Sequence, residues 1–352
     1  ALSVDCFVFA PPPDADRAVL LARMAGDARV RLAEPMQLFA IRSASSTTGP
    51  DTTTDRPATA PPATSPATPH QASATTYNDP YFSLQHGFQQ IGADLAQRRS
   101  LGNGVRVALI DTGVDLVHPD MARVGRARDF FDEDAVAFRR DRHGTAVAGI
   151  IAAIVNNRIG IAGIAPGVRL QVYKACQPLR PDVLAARCNS FTLALALQAA
   201  IDDHAQIVNL SLGGPSDRLL GSLLRAGERR GMVFVGAVPE DGRIDGFPLD
   251  VPGVIAADDP GGTAGAAALH APGRDVLSLA PAGRYDFVSG SSFAAAQVTA
   301  AVALLQARAP RHPSLTVRSA LAQSQLHSGL INICVALARL TGPGSAASGC
   351  IT

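Results

Sequence analysis

Apolar and polar positions along the chain fall into short runs whose period switches between two and three to four. Arg106–Ile110 is a brief β-rich run that ends at Asp111-Thr112-Gly113, a strand feeding a turn. Residues 144–154 then repeat small and apolar side chains at helical spacing, and Gln171–Tyr173 reads as a strand. Leu193–Asp202 reads as a helix, Ile207–Leu212 as a strand, Leu219–Arg229 as a helix and Met232–Val235 as a strand again; Phe293–Arg308 supplies a long buried helix. This alternation predicts an α/β fold, a parallel, doubly wound sheet with helices on both faces. There is no internal repeat.

Ahead of that body the pattern predicts a small α+β module over residues 1–46. Val4–Phe9 alternates as a strand, Ala15–Met24 carries a helical apolar stripe, and Val30–Leu32 and Gln37–Ile41 read as further strands. A unit of this size is marginal alone and is expected to lean its sheet on the larger body. Residues 47–76 are almost wholly Thr, Pro, Ala, Ser and Asp, which cannot bury enough apolar surface to offset the entropy of ordering, and they read as a linker. The larger body follows over 77–330, with a C-terminal extension over 331–352.

Composition narrows the function classes. The chain has 352 residues, 47% of them hydrophobic, enough for one large core and something smaller. A formal net charge of +1 without a dense block of Lys or Arg gives no footprint for nucleic acid or an anionic membrane. No apolar run reaches the ~18 residues of a membrane span. The chain starts at Ala1 and shows no basic-then-apolar leader, so an export signal is expected to have been removed or never to have existed. Five cysteines fit no zinc pattern. Two local disulfides, Cys176–Cys188 and Cys334–Cys350, suit an exported chain and leave Cys6 unpaired; five reduced thiols suit the sequence as well.

In an open parallel sheet, functional residues collect at strand carboxyl ends and helix amino ends. Asp111 follows an apolar strand, His143 immediately precedes a small-residue helix, and Ser292 opens another helix after Ser289-Gly290-Ser291. Taken singly, each is more simply a turn former, a cap or a surface polar residue. Taken together their surroundings say more. Val107-Ala108-Leu109-Ile110-Asp111-Thr112-Gly113-Val114-Asp115, Arg142-His143-Gly144-Thr145-Ala146-Val147-Ala148-Gly149 and Ser289-Gly290-Ser291-Ser292-Phe293-Ala294, in that order, closely resemble the three active-site motifs of the subtilisin family of serine proteases. The resemblance runs from about Asn78 to about Gln323.

It implies a serine endopeptidase acting on polypeptides through an acyl-enzyme. Ser292 is then the nucleophile, His143 its base and Asp111 the carboxylate that fixes the imidazole tautomer. It implies that Ser211, Leu212, Gly213, Gly214 and Gly236 bind substrate, the first four by pairing an extended peptide along the strand that begins at Ile207. It implies that residues 1–46 are a propeptide that blocks the cleft as an intramolecular inhibitor, that the protein is secreted or periplasmic, and that it is a monomer. Asp79, Asp120 and Asn157, with the carbonyls of Val155, Ile159 and Ile161, resemble the ligands of a structural calcium site; an Asx turn with two solvated carboxylates is the plainer alternative.

The family pattern breaks in one consequential place. Where an Asn normally donates to the oxyanion, alignment puts Pro239, which has no side-chain or main-chain donor. Asp241, if protonated, is the rival donor in that region, and the Ser292 N–H is the remaining one. The alternative to a slow protease is therefore a catalytically weak or inactive homologue that acts as a peptide-binding module. Ala295-Ala296-Gln297 also departs from the family and is read as packing.

Overall fold

The computed structural model describes residues 5–42, residues 77–341 other than 123, 133, 263, 311–313, 326 and 327, and Cys350. The expected linker lies outside the described residues. In chain order the helices are α1 (Arg17–Ala25), α2 (His86–Gln90), α3 (Ala93–Gln97), α4 (Ala135–Arg140), α5 (Arg142–Ala152), α6 (Ser190–Asp202), α7 (Arg218–Glu228), α8 (Ser291–Arg308), α9 (Ser314–Ala322) and α10 (Ile333–Thr341). The strands are β1 (Leu38–Ile41), β2 (Arg106–Asp111), β3 (Arg126–Asp129), β4 (Arg169–Lys174), β5 (Cys176–Pro178), β6 (Ala186–Asn189), β7 (Ile207–Leu210), β8 (Val233–Ala237), β9 (Ile255–Asp258), β10 (Leu269–His270), β11 (Val276–Ala280) and β12 (Arg284–Val288).

Seven strands form one parallel sheet in the order β10-β9-β8-β7-β2-β4-β3. Strand pleating sends alternate side chains to opposite faces, and both faces are covered. Val107 and Leu109 of β2 join the core built with α5 and α8, while Ala108 and Ile110 join the one built with α6 and α7. Chain order reverses between β2 and β7, so the crevice at their carboxyl ends is where a ligand site belongs. Asp111 closes β2 there, and Ser211 follows β7.

The segment ahead of the body differs from expectation. Residues 5–9 and 30–32 form no strand; only α1 and β1 are regular, and α1 buries no residue. Phe7, Val8 and Phe9 are exposed, whereas Phe39 and Ile41 are each 1% exposed in the body's core. Phe39 and Ile41 are the buried residues of the 5–42 segment and both lie in the body's core, so the segment has no interior of its own. At the other end, α10 buries Ile333, Cys334 and Leu337 in the same core as α8, and Cys334 is disulfide-bonded to Cys350. The second disulfide, Cys176–Cys188, crosses the β5–β6 hairpin at a paired position. Cys6 is free and exposed.

Candidate active site

Asp111 is wholly buried at the end of β2, where its Oδ1 accepts from the Thr112 N–H at 2.7 Å and lies 2.7 Å from His143 Nδ1. That contact holds Nδ1 as the protonated nitrogen and leaves Nε2 as the base. His143 sits one residue inside the first turn of α5, not ahead of it as the sequence suggested, because Asp141 takes the N-cap position. The approach of α5 to the β2 turn is close: a Cβ on Gly144 would lie 2.4 Å from the Gly113 carbonyl. His143 Nε2 is buried and carries no hydrogen bond.

Ser292 reaches the same crevice from the start of α8. Gly290, at φ 145°, takes a turn that L side chains rarely adopt and leads β12 into the helix. The Ser292 hydroxyl donates to the Ser211 carbonyl at 3.3 Å rather than to His143, and Ser211 Oγ donates back to the Ser292 carbonyl at 3.1 Å. Asn209 anchors this tie, donating to Ser211 Oγ and accepting from Thr299, both at 2.8 Å. The Ser292–Ser211 bond is long and easily exchanged, so rotation about one torsion frees the hydroxyl; catalytic bonds often tighten only with substrate. The first turn of α8 also leaves N–H groups without intrahelical partners at the point where an oxyanion would form.

Beneath Asp111 lies an ionic cluster that sequence reading missed. Lys174, paired with Asp111 across β2 and β4, is 1% exposed and sits 3.3 Å from Asp141 and from Asp132, and 3.9 Å from Asp129. Asp141 also accepts from the Gly113 N–H at 2.7 Å, fixing the turn that carries Asp111. Burial pushes the Asp141 carboxyl up to about 6, with Lys174 opposing. Its raised value makes the folded state favour the protonated form, so its stabilising contribution is present below the ordinary value near 4 and is lost as pH rises through 6. Relative to Asp141→Asn, the wild type should therefore lose up to ~3 kcal/mol of unfolding free energy between pH 4 and pH 6. Parallel stability curves for the two chains over that range would contradict this.

A cleft of about 520 Å³ opens beside Ser292, lined among others by Ser211, Leu212, Gly213, Gly214, Pro239 and Asp241. Gly236 does not line it. It lies in β8 with its Cβ position against Leu249 and Pro248, 2.8 Å from each. Pro239 faces the cleft, and its carbonyl accepts from the Gly242 N–H at 2.8 Å to close a turn. Asp241 Oδ1 accepts the Arg243 N–H at 3.2 Å. Pro239 has no donor to offer Ser292, and the bond that Asp241 makes here is one it accepts. The chain's own segment also lines the cleft, through Leu38, Ala40 and Arg42. β1 is the middle of a short antiparallel ladder, paired to β6 on one edge and to Gly213 on the other, where Ala40 and Gly213 exchange both hydrogen bonds. The role of β6 was not legible, since Ala186-Arg187-Cys188-Asn189 alternates buried and outward positions over only four residues, too few to mark a strand.

The residues expected to hold calcium come together away from the cleft. Asp79 and Asp120 are 4% and 0% exposed. Asp79 accepts from the Asn156 and Asn157 N–H groups; Asp120 accepts from Asn157 Nδ2, the Ile161 N–H and the Tyr285 hydroxyl. These donors are neutral, and burial above all, with repulsion from Asp79, pushes the Asp120 carboxyl up. The loop that carries Val155, Ile159 and Ile161 curls around it, with positive φ at Asn156, Arg158 and Gly160. No group of three His, Cys, Asp or Glu side chains that could hold a metal ion occurs among the described residues, so a cation here rests on two carboxylates, one amide and main-chain carbonyls. That oxygen set and its uncompensated charge fit a hard cation. The plainer alternative of two solvated carboxylates does not fit the burial.

A sequence model of the subtilase family matches residues 102–254 and 260–333, more than half of the chain and all three of Asp111, His143 and Ser292. Thermitase of Thermoactinomyces vulgaris is 33% identical over 243 residues, covering 65% of this chain and 85% of that protein. A thermophilic serine proteinase of Bacillus sp. (strain AK1) is 33% identical over 266 residues, 72% of this chain but 64% of that protein's length. Among solved structures, a protease of Pseudoalteromonas arctica superposes with a TM-score of 0.65 over 76% of this chain and 100% of its own, at 23% identity, a likeness of fold.

Proposed function

The chain belongs to the subtilase family of serine proteases, and on that premise we propose that it is an endopeptidase working through Ser292, His143 and Asp111. The observation that carries the reading is the buried 2.7 Å contact of Asp111 with His143 Nδ1, which leaves Nε2 unpaired in the crevice that holds Ser292. Substrate carbonyl carbon is attacked by Ser292 Oγ as Nε2 takes its proton. The imidazolium, stabilised by Asp111, returns that proton to the leaving amine, and water repeats the sequence on the ester. Polypeptides are the substrates, bound by strand addition between β6 and Gly213, the place that β1 fills. The test is release of peptides from an unstructured protein such as casein, which must be lost in Ser292→Ala.

The segment up to Arg42 acts in this reading as the chain's own inhibitor, supported by the ladder at Gly213 and the burial of Phe39. Two disulfides support an oxidising compartment, secreted or periplasmic. No helix among the described residues is long and apolar enough to cross a membrane.

Calcium, if bound, is held by Asp79, Asp120 and Asn157 with the carbonyls of Val155, Ile159 and Ile161. It neutralises two buried carboxylates and ties residues 78–81 to the 155–161 loop, a structural and not a catalytic service. Saturating calcium should raise the melting temperature, the stabilisation being ~2.7 kcal/mol at a hundredfold excess over the dissociation constant. Asp120→Ala should abolish that increment. Identical melting curves in calcium and in chelator would remove calcium from the account.

A further inference from the structure

We infer that the Cys176–Cys188 disulfide is a positioning element of the substrate groove: it keeps β6 formed as the template for an extended peptide, and so governs peptide uptake without entering the chemistry at Ser292. The inference rests on the strand-addition reading above and adds the residues that hold the groove's outer wall. Its foundation is the register of β6, which lies between β1 and β5. Cys188 stands opposite Phe39 of β1 on one edge and opposite Cys176 of β5 on the other. Opposed residues of a sheet share a face, so Phe39, Cys188 and Cys176 make one row across the three strands, and all three are buried.

What β6 leans on changes when the place of β1 is empty. With β1 seated, all four residues of β6 are paired on that edge; without it, β6 keeps three pairs, all to β5. One of these is to Pro178, which has no N–H for the ladder. A two-stranded ribbon of three and four residues does not hold itself together in water. An incoming peptide would then have to order the wall as well as itself.

The two strands of the hairpin are anchored unequally. β5 runs on from β4, and between them the Ala175 N–H donates to the Asp111 carbonyl at 2.9 Å, which ties β5 to the large sheet. The end of β6 is fixed by Asn189, the N-cap of α6, but its start follows a loop whose residues 179–182 are exposed. The disulfide carries the anchoring of β5 across to the third residue of β6. It joins cysteines 12 residues apart, which restricts the open states that the hairpin can visit. The hydrogen bonds that hold the side chains of Asp111, His143 and Ser292 do not run through β6, so the template and the chemistry are separable.

The experiment reads β1 as the strand bound to β6. Two full chains carry Ser292→Ala so that no proteolysis intervenes; one keeps its cysteines and the other has Cys176→Val with Cys188→Val, apolar side chains that pair well across strands. Amide hydrogen exchange should show protection over 38–41 and 186–189 falling at least ~10-fold in the valine pair, while α5 and α8 keep theirs. With Ser292 restored, the valine pair should take a fluorophosphonate at no lower rate than the wild type. A bond that merely stabilised the fold would lower protection in α5 and α8 too and slow the labelling; that result, or unchanged protection over 38–41, overturns the inference. Should the valine pair fail to fold, the folded Ser292→Ala chain is reduced instead, with alkylation mapping to show that Cys176 and Cys188 have opened. The same local loss is expected, and its absence overturns the inference. Local loss over 38–41 with no labelling of Ser292 in either chain overturns the peptidase reading and leaves the hold of the disulfide on β6 standing.

Discussion

Ser292→Ala should lower peptide hydrolysis at least ~10³-fold and leave the fold intact. Only the hydroxyl is removed, and the hydrogen bond it makes among the described residues is the 3.3 Å one to the Ser211 carbonyl. Loss of so long a bond costs little stability, ~1 kcal/mol at most. The chemistry has no substitute for it: without Oγ no ester forms, and His143 can only assist water from the solvent. His143→Ala should be as damaging, because the two residues act as one unit, and the double variant should be no worse than either alone. Additive losses in the double variant would show that they do not share a step.

Pro239→Asn should raise turnover, by up to ~10²-fold, with little change in KM. The 239–242 turn tolerates the exchange, since Asn is favoured at the first position of such a turn and the Pro239 carbonyl bond to Gly242 is a main-chain one. The new amide adds a donor on the cleft wall beside Ser292, where Pro239 has none and the Asp241 carboxylate is occupied by the Arg243 N–H. A donor to the oxyanion acts only once negative charge has formed, which is why kcat and not KM should respond. Equal turnover of wild type and Pro239→Asn would mean that the main-chain donors at the α8 start already suffice.

The parts of the site that could be read from sequence are those held by short apolar strands and small-residue helices. Asp111 after Val107–Ile110, His143 before a run of Ala, Val and Gly, and Ser292 at the head of α8 each stand where a period ends, so their places were visible. Asn209, the one polar side chain inside β7, was not read as part of the site, because what it holds, Ser211 and Thr299, lies on two other stretches of chain. Lys174 and Asp141 were not legible because a buried ion cluster has the same residue types as a solvated surface. β5 and β6 escaped because they are short: three and four residues that pair with each other across a disulfide, with β6 completed by the distant β1. Val4–Phe9 shows the converse error, for alternation in sequence makes a strand only when a partner edge is at hand; Asp5–Phe9 found none and Leu38–Ile41 found two.

The central claim is that His143 and Asp111 activate Ser292, and a fluorophosphonate probe tests it with no substrate preference involved. Incubated with the full chain and followed by peptide mass mapping, the probe should leave one adduct, on Ser292, at a rate that falls steeply in His143→Ala and to nothing in Ser292→Ala. A wild-type chain that stays unlabelled, or an adduct that persists in Ser292→Ala, would contradict the account.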